Sequence, residues 1–64
     1  MKHVISNYNG KKLLETESQC EAHKFLLNAT HEPYLIACLI QGGLKQGANY
    51  SFDTRYGYFN WEIK

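Results

Sequence analysis

Apolar residues recur with a helical period in the stretch that follows Ser18. They stand at i, i+3, i+4 and i+7, at Ala22, Phe25, Leu26 and Ala29. Ser18 with Glu21 has the spacing of a capping box, and Thr16 with Gln19 offers a second frame of the same motif. The Asn, His and Pro residues that follow disfavour continuation of a helix. The pattern therefore predicts an amphipathic helix that begins at one of these caps and ends near Thr30.

A different pattern, alternation of apolar and polar residues, fills positions 50 to 63 and predicts an antiparallel hairpin. A four-residue loop at positions 54 to 57 would pair Asp53 with Tyr58 and Phe52 with Phe59. In that register one face carries Tyr50, Phe52, Phe59, Trp61 and Ile63. The other face carries Ser51, Asp53, Tyr58, Asn60 and Glu62. We expect the first face to supply the core and the second to meet solvent.

A first hairpin is predicted around Asn9-Gly10, which tolerates the positive φ angles of a type I′ turn. Its strands would be residues 3 to 8 and 11 to 16. A two-residue loop places Val4, Tyr8 and Leu13 on one face and Ile5 and Leu14 on the other. Because neither face is then purely polar, the register stays open, and a longer loop would shift it.

The apolar run at positions 34 to 41 fits two structures. Between Pro33 and Gly42 it has the length of a central strand buried on both faces. It also fits a short helix with Thr30 as N-cap and a proline in the first turn. We favour the strand, because a helix needs a central strand beneath it. The predicted order is ββαβββ, with ββααββ as the alternative, in one small α+β domain at positions 1 to 64, with one helix on a mainly antiparallel sheet.

Length and charge narrow the functional classes. A chain of 64 residues buries only about 60% of its unfolded surface, so we expect nearly every apolar residue to be covered by folding or by a partner. Seven Lys and Arg against six Asp and Glu give a net charge of +1. These basic residues are scattered, and the charge lacks the excess typical of nucleic-acid-binding domains.

The N-terminal residues lack the apolar region of a secretory signal, and the run at positions 34 to 40 is too short to cross a bilayer. We therefore expect a cytoplasmic protein with no membrane partner. In that compartment Cys20 and Cys38 stay reduced, and the acceptor sites at Asn28 and Asn49 stay unglycosylated.

Motifs that carry chemistry are weak in this sequence. Cys20, His23, His31 and Cys38 form a C-x2-H-x7-H-x6-C string that matches no standard zinc pattern, and a zinc-stabilised domain is only an alternative. Nucleophilic catalysis by Cys20, with His23 as its base, would need a pocket, and a core this small leaves little room for one. The glycines at positions 42 to 47 lack the spacing of a phosphate-binding loop. We expect no catalytic residue, no metal ligand, no cofactor and no enzymatic activity.

The function predicted from these observations is that of a non-enzymatic regulatory or adaptor protein, inhibitor-like, that acts by binding another protein. Leu27 lies with Cys20 off the main helix stripe, on a second apolar strip that the core does not reach. Arg55 at the hairpin tip is flanked by outward tyrosines. The predicted interaction surface consists of Leu27, Leu44, Arg55, Tyr56 and Tyr58.

Two further predictions concern partners. A nucleic-acid binder would use basic residues around the outward tyrosines, namely Arg55, Lys45, Lys11 and Lys12. Self-association as a symmetric dimer would cover apolar surface that a single helix leaves open. Its contact would be Leu27 with Cys20, or the final strand at positions 58 to 63.

Overall fold

A computed structural model describes residues 1–64 as two layers, with two helices on one face of a four-stranded antiparallel sheet. The elements in chain order are β1 (His3–Asn7), β2 (Lys12–Thr16), α1 (Gln19–Thr30), α2 (Pro33–Gln41), β3 (Asn49–Thr54) and β4 (Gly57–Ile63). This ββααββ order confirms the α+β class. It matches the alternative order and not the favoured ββαβββ.

The strand favoured at positions 34 to 41 is wrong, because these residues form α2. Pro33 begins this helix, where its fixed φ suits the first turn and its missing N–H is not needed. Thr30 is not the N-cap; it ends α1, and its Oγ1 accepts a 3.2 Å hydrogen bond from the N–H of Glu32. The premise behind the strand fails as well, since β1 and β4 already supply the two central strands of the sheet.

Helix α1 begins and ends as predicted. Ser18 is its N-cap, and the Ser18 Oγ accepts a 3.2 Å hydrogen bond from the N–H of Glu21. The reciprocal half of the capping box is absent, because the Ser18 N–H donates to Oγ1 of Thr16 at 3.1 Å. After Thr30 the chain turns at His31, whose φ of 54° lies in the left-handed region and ends the helix.

The sheet order is β2-β1-β4-β3, so that β4 is a central strand paired with both β1 and β3. The predicted register of the second hairpin is confirmed, with Phe52 opposite Phe59 and Asp53 opposite Tyr58. Its loop is shorter than predicted, because Thr54 and Gly57 also pair and leave two turn residues. Because β4 is paired with a strand on each side, the final strand has no free edge that could form the contact of a dimer.

The first hairpin differs more from the prediction. Its strands are separated by four residues, and Oδ1 of Asn7 accepts 3.0 Å hydrogen bonds from the N–H groups of Asn9 and Lys11. Gly10 has a φ of 81°, while the only non-glycine residue with positive φ is His31, so the turn is not type I′. From His3 to Ile5, however, the strands pair in the register of the predicted two-residue loop, with Ile5 opposite Leu14 on the core face, and an irregularity follows between Ile5 and Ser6.

The core lies between the sheet and the helices, around Trp61 and Phe52. Its buried hydrophobic members are Ile5, Ala22, Leu26, Ile36, Phe52, Phe59, Trp61 and Ile63. Folding of the single chain alone does not bury nearly every apolar residue. Large hydrophobic side chains stay exposed at Met1, Tyr8, Leu13, Tyr34, Leu35, Tyr56 and Tyr58.

Candidate functional site

Helix α2 places an uncharged apolar face on the surface of the protein. None of its nine residues is charged, and Ile36 is the only one that is fully buried. Leu39 and Ile40 lie on the same side as Ile36 and pack, half-buried, against the core. The opposite side is exposed, with 86% of Tyr34 and 39% of Leu35 accessible to solvent. We call four of these exposed residues the α2 face, namely Tyr34, Leu35, Ala37 and Cys38; Pro33 and the polar Gln41 are exposed as well.

A second feature lies at the end of the sheet where both hairpins turn. Because Asn7 ends β1 opposite Phe59 near the start of β4, the two hairpin turns lie at the same end. One turn carries Tyr8, which is 75% exposed, and the other carries Tyr56, which is 56% exposed. Lys11 and Arg55 belong to the same two turns, and neither forms an ion pair. We call this end the hairpin end.

The aromatic contact between His31 and Tyr56 joins the hairpin end to the helices. The two ring centroids are 4.9 Å apart and the rings are inclined at 55°. His31 holds the left-handed corner between α1 and α2, and its N–H donates to the carbonyl of Leu27 at 3.0 Å. Helix α2 begins two residues later, and Tyr34 is in its first turn. The α2 face therefore starts at the hairpin end.

The residues predicted for the interaction surface fall in three places. Arg55 and Tyr56 are exposed neighbours in the hairpin turn. Tyr58 lies on the side of the sheet away from the helices, where its Oη donates to Oγ of Ser51 at 2.9 Å. Leu27 and Leu44 are half-buried against the core, so the expectation that the core would not reach Leu27 is wrong.

Sequence reasoning missed the α2 face entirely. The favoured strand would bury Tyr34 and Leu35 on both faces, the alternative helix has no predicted exposed side, and the two-residue loop places Tyr8 on one face of the first hairpin. The signal for the helix was Pro33 followed by Leu and Ala in place of Val. Apolar composition alone does not reveal which side of a short helix remains exposed.

The basic residues proposed for nucleic-acid binding are not gathered. Lys12 pairs with Glu15 at 2.8 Å, and Lys2 reaches the same carboxylate at 3.4 Å. Hydrogen bonds from Lys12 and then Lys2 lower the pKa of Glu15. Lys45 precedes β3, whose first residue lies opposite Glu62, and so it sits at the end of the sheet away from Arg55. Of the four predicted cations, Lys11 and Arg55 are the two that lie at the hairpin end without an ion pair.

The structure brings together no metal site from the candidate ligands. No three His, Cys, Asp or Glu side chains lie close enough to hold a metal ion, and Cys20 and Cys38 are exposed free thiols. The one surface depression is open and has no apolar lining; Lys2, Glu15, Thr16 and Glu17 form its walls. Neither helix has the length and apolarity that a membrane span requires.

No family model, curated protein or solved structure with which the chain was compared matches it. The two exposed features of the protein from which a function can be inferred are the α2 face and the hairpin end.

Proposed function

We propose that this protein is a non-enzymatic regulatory or adaptor protein, inhibitor-like in action, that binds another protein through the α2 face. The observation that carries the proposal is the exposure of Tyr34 and Leu35 on a helix without a single charge. An exposed apolar patch on a small protein is typical of a surface that a partner covers.

The spacing of the α2 face suits insertion into a groove. Tyr34 and Cys38 are four residues apart and Leu35 and Cys38 three, so their side chains project from one side of the helix. Amphipathic helices bind in this way by laying such anchors into an apolar groove. Because α2 carries no charge, the complementary groove is itself uncharged and apolar, since a charge buried against α2 would have no partner.

The size of the α2 face implies a second point of contact. Nine residues at 1.5 Å each make a helix only about 14 Å long. One side of so short a helix is too small to supply the area of about 800 Å² that a stable interface buries on each partner. The hairpin end is the adjoining surface, since His31 packs against Tyr56. Arg55 and Tyr56 are of residue types enriched at the centres of interfaces. We place the second point of contact there.

Affinity purification with matched variants tests the proposal. Ala37→Glu introduces a charge at an exposed position of the α2 face, and Gln19→Glu adds the same charge at an exposed position of α1. Wild type and Gln19→Glu should each capture one stoichiometric protein, identified by mass spectrometry. Ala37→Glu should lose it, because the new carboxylate would be desolvated in the groove.

Two results would refute the proposal. One is the absence of any stoichiometric protein with the wild-type bait; the other is equal capture by Ala37→Glu and Gln19→Glu. A low-salt gel shift with mixed single- and double-stranded DNA and RNA tests the nucleic-acid alternative separately. A shift that fades on adding salt and is lost in Arg55→Ala would favour that alternative instead.

A further inference from the structure

Strand β3 leaves a regular row of main-chain groups free at the edge of the sheet. The N–H of Ile63 donates to the carbonyl of Ala48 at 2.9 Å, which sets the alternation of the β3–β4 ladder. Tyr50 and Phe52, at even-numbered positions like Ala48, therefore direct their N–H and C=O groups toward β4. The odd-numbered residues, Asn49, Ser51 and Asp53, direct theirs away from the sheet, and all three are exposed.

The two edges of the sheet are protected to different degrees. Edge strand β2 carries Lys12, has an irregularity in its pairing near Leu13, and has α1 packed beside it. These are devices that keep a sheet edge from pairing with another chain. Edge strand β3 has no lysine, no proline and no break in its register. Its only charged residue is Asp53.

We propose that a second copy of this chain pairs with β3, antiparallel, about a two-fold axis that passes through Ser51. Ser51 then lies opposite its own copy, and Asn49 lies opposite Asp53 of the second copy. All outward-facing residues become hydrogen-bonded pairs, and three pairs with two bonds each make six main-chain hydrogen bonds. Moving the axis by one residue leaves four bonds, and moving it by two toward the turn places Asp53 opposite its own copy.

Side chains favour the same register. On the open face, the amide of Asn49 lies beside the carboxylate of Asp53 from the second copy and can donate to it. The product is an eight-stranded sheet with all helices on one side. The pairing is argued from the main chain and side chains of β3 and does not rest on the proposed function.

Sedimentation equilibrium of the purified protein across micromolar to millimolar concentration tests the pairing. Wild type should pass from 7.4 kDa to twice that mass as its concentration rises. Asn49→Asp places two carboxylates opposite each other in both of the symmetry-related pairs of positions 49 and 53, and it should weaken the dimer by about 2- to 30-fold. Asn49→Lys places opposite charges there and should strengthen the dimer by a similar factor. The double variant Asn49→Asp with Asp53→Asn exchanges the two residues and should restore wild-type affinity.

The main-chain component has its own variants. Ser51→Pro removes an outward N–H that the monomer does not use, whereas Ser51→Ala removes only the hydroxyl. We expect the dimer to weaken about tenfold or more with proline and to persist with alanine. Circular dichroism on each variant shows that the monomer still folds. A wild type that stays at 7.4 kDa throughout, or a dimer indifferent to both Ser51→Pro and Asn49→Asp, would overturn the proposal.

Discussion

The Nδ1 atom of His3 accepts a 3.0 Å hydrogen bond from the indole N–H of Trp61. Both side chains are buried, and their ring centroids are 5.7 Å apart. They occupy diagonal positions on the core face of β1 and β4, since His3 lies opposite Ile63 and Trp61 opposite Ile5. An acceptor at Nδ1 requires the neutral imidazole with its proton on Nε2.

This pair predicts a loss of stability in mild acid. Burial, with a smaller effect from the positive N-terminus, lowers the pKa of His3 below its usual value of 6.5. The unfolded chain therefore binds the proton more readily than the native state. Stability should be constant above about pH 6.5 and should fall as the pH drops from there through the lowered pKa. Glu15, with its pKa also lowered, titrates below this range.

Urea unfolding at pH 7.5 and pH 5 measures this effect, followed by the fluorescence of Trp61, the only tryptophan. His3→Asn retains an acceptor near Nδ1 but does not titrate. The wild type should lose more stability than His3→Asn between the two pH values. Equal losses would show that His3 is not responsible.

Neighbouring residues of α2 should differ sharply in their effect on stability. Ile36 is fully buried in the core, whereas Leu35 lies on the α2 face. Ile36→Ala should cost about 2–5 kcal/mol of unfolding free energy, while Leu35→Ala should cost less than about 1 kcal/mol. Chemical denaturation measures both. Comparable large costs at the two positions would indicate a segment buried on both sides, as the strand would be.

Two glycines predict changes of opposite sign. Gly10 has a φ of 81° and would set its Cβ in open space, so Gly10→Ala adds backbone strain alone and should destabilise by about 1 kcal/mol. Gly42 has a φ of −71°, and its new Cβ would meet only ordinary contacts at 3.6 Å. Gly42→Ala should stabilise by about 0.4–1 kcal/mol, because it restricts the unfolded chain. Thermal unfolding of the two variants compares them directly; a shift of the same sign in both would contradict the assigned angles.

The parts of the fold that sequence reasoning predicted are those with local signals. Alternation at positions 50 to 63 defines which face each residue takes, and so Phe52 opposite Phe59 followed from the pattern. The helix from Gln19 to Thr30 followed from its apolar period and from the cap at Ser18. Both signals lie within about twelve residues of chain, where periodicity is informative.

The predictions failed where pairing between distant parts of the chain determines the structure. A continuous apolar run such as Tyr34 to Ile40 has no period that distinguishes strand from helix. This run has no place in the sheet because β4, which is far from β1 in sequence, pairs with β1 and fills the central position. The candidate site was missed for the same reason, because the exposure of Tyr34 follows from the helix and not from the residue type.

The central place of β4 also determines how the chain must fold. Pairing of β1 with β4 continues to Lys2 and Lys64, whose main-chain groups exchange hydrogen bonds of 3.1 and 2.8 Å. The central pair of strands therefore forms slowly, because β1 and β4 are far apart in sequence and the loop between them must close first. Joining position 64 to position 1 through a short linker would turn this pair into a hairpin, and new termini between Arg55 and Tyr56 would open the two-residue turn between β3 and β4. Such a circular permutant should reach the same native sheet, although β3 and β4 are no longer joined by a local turn. In the permutant β1 and β4 would pair early as a hairpin, whereas in the original chain order this pair forms late.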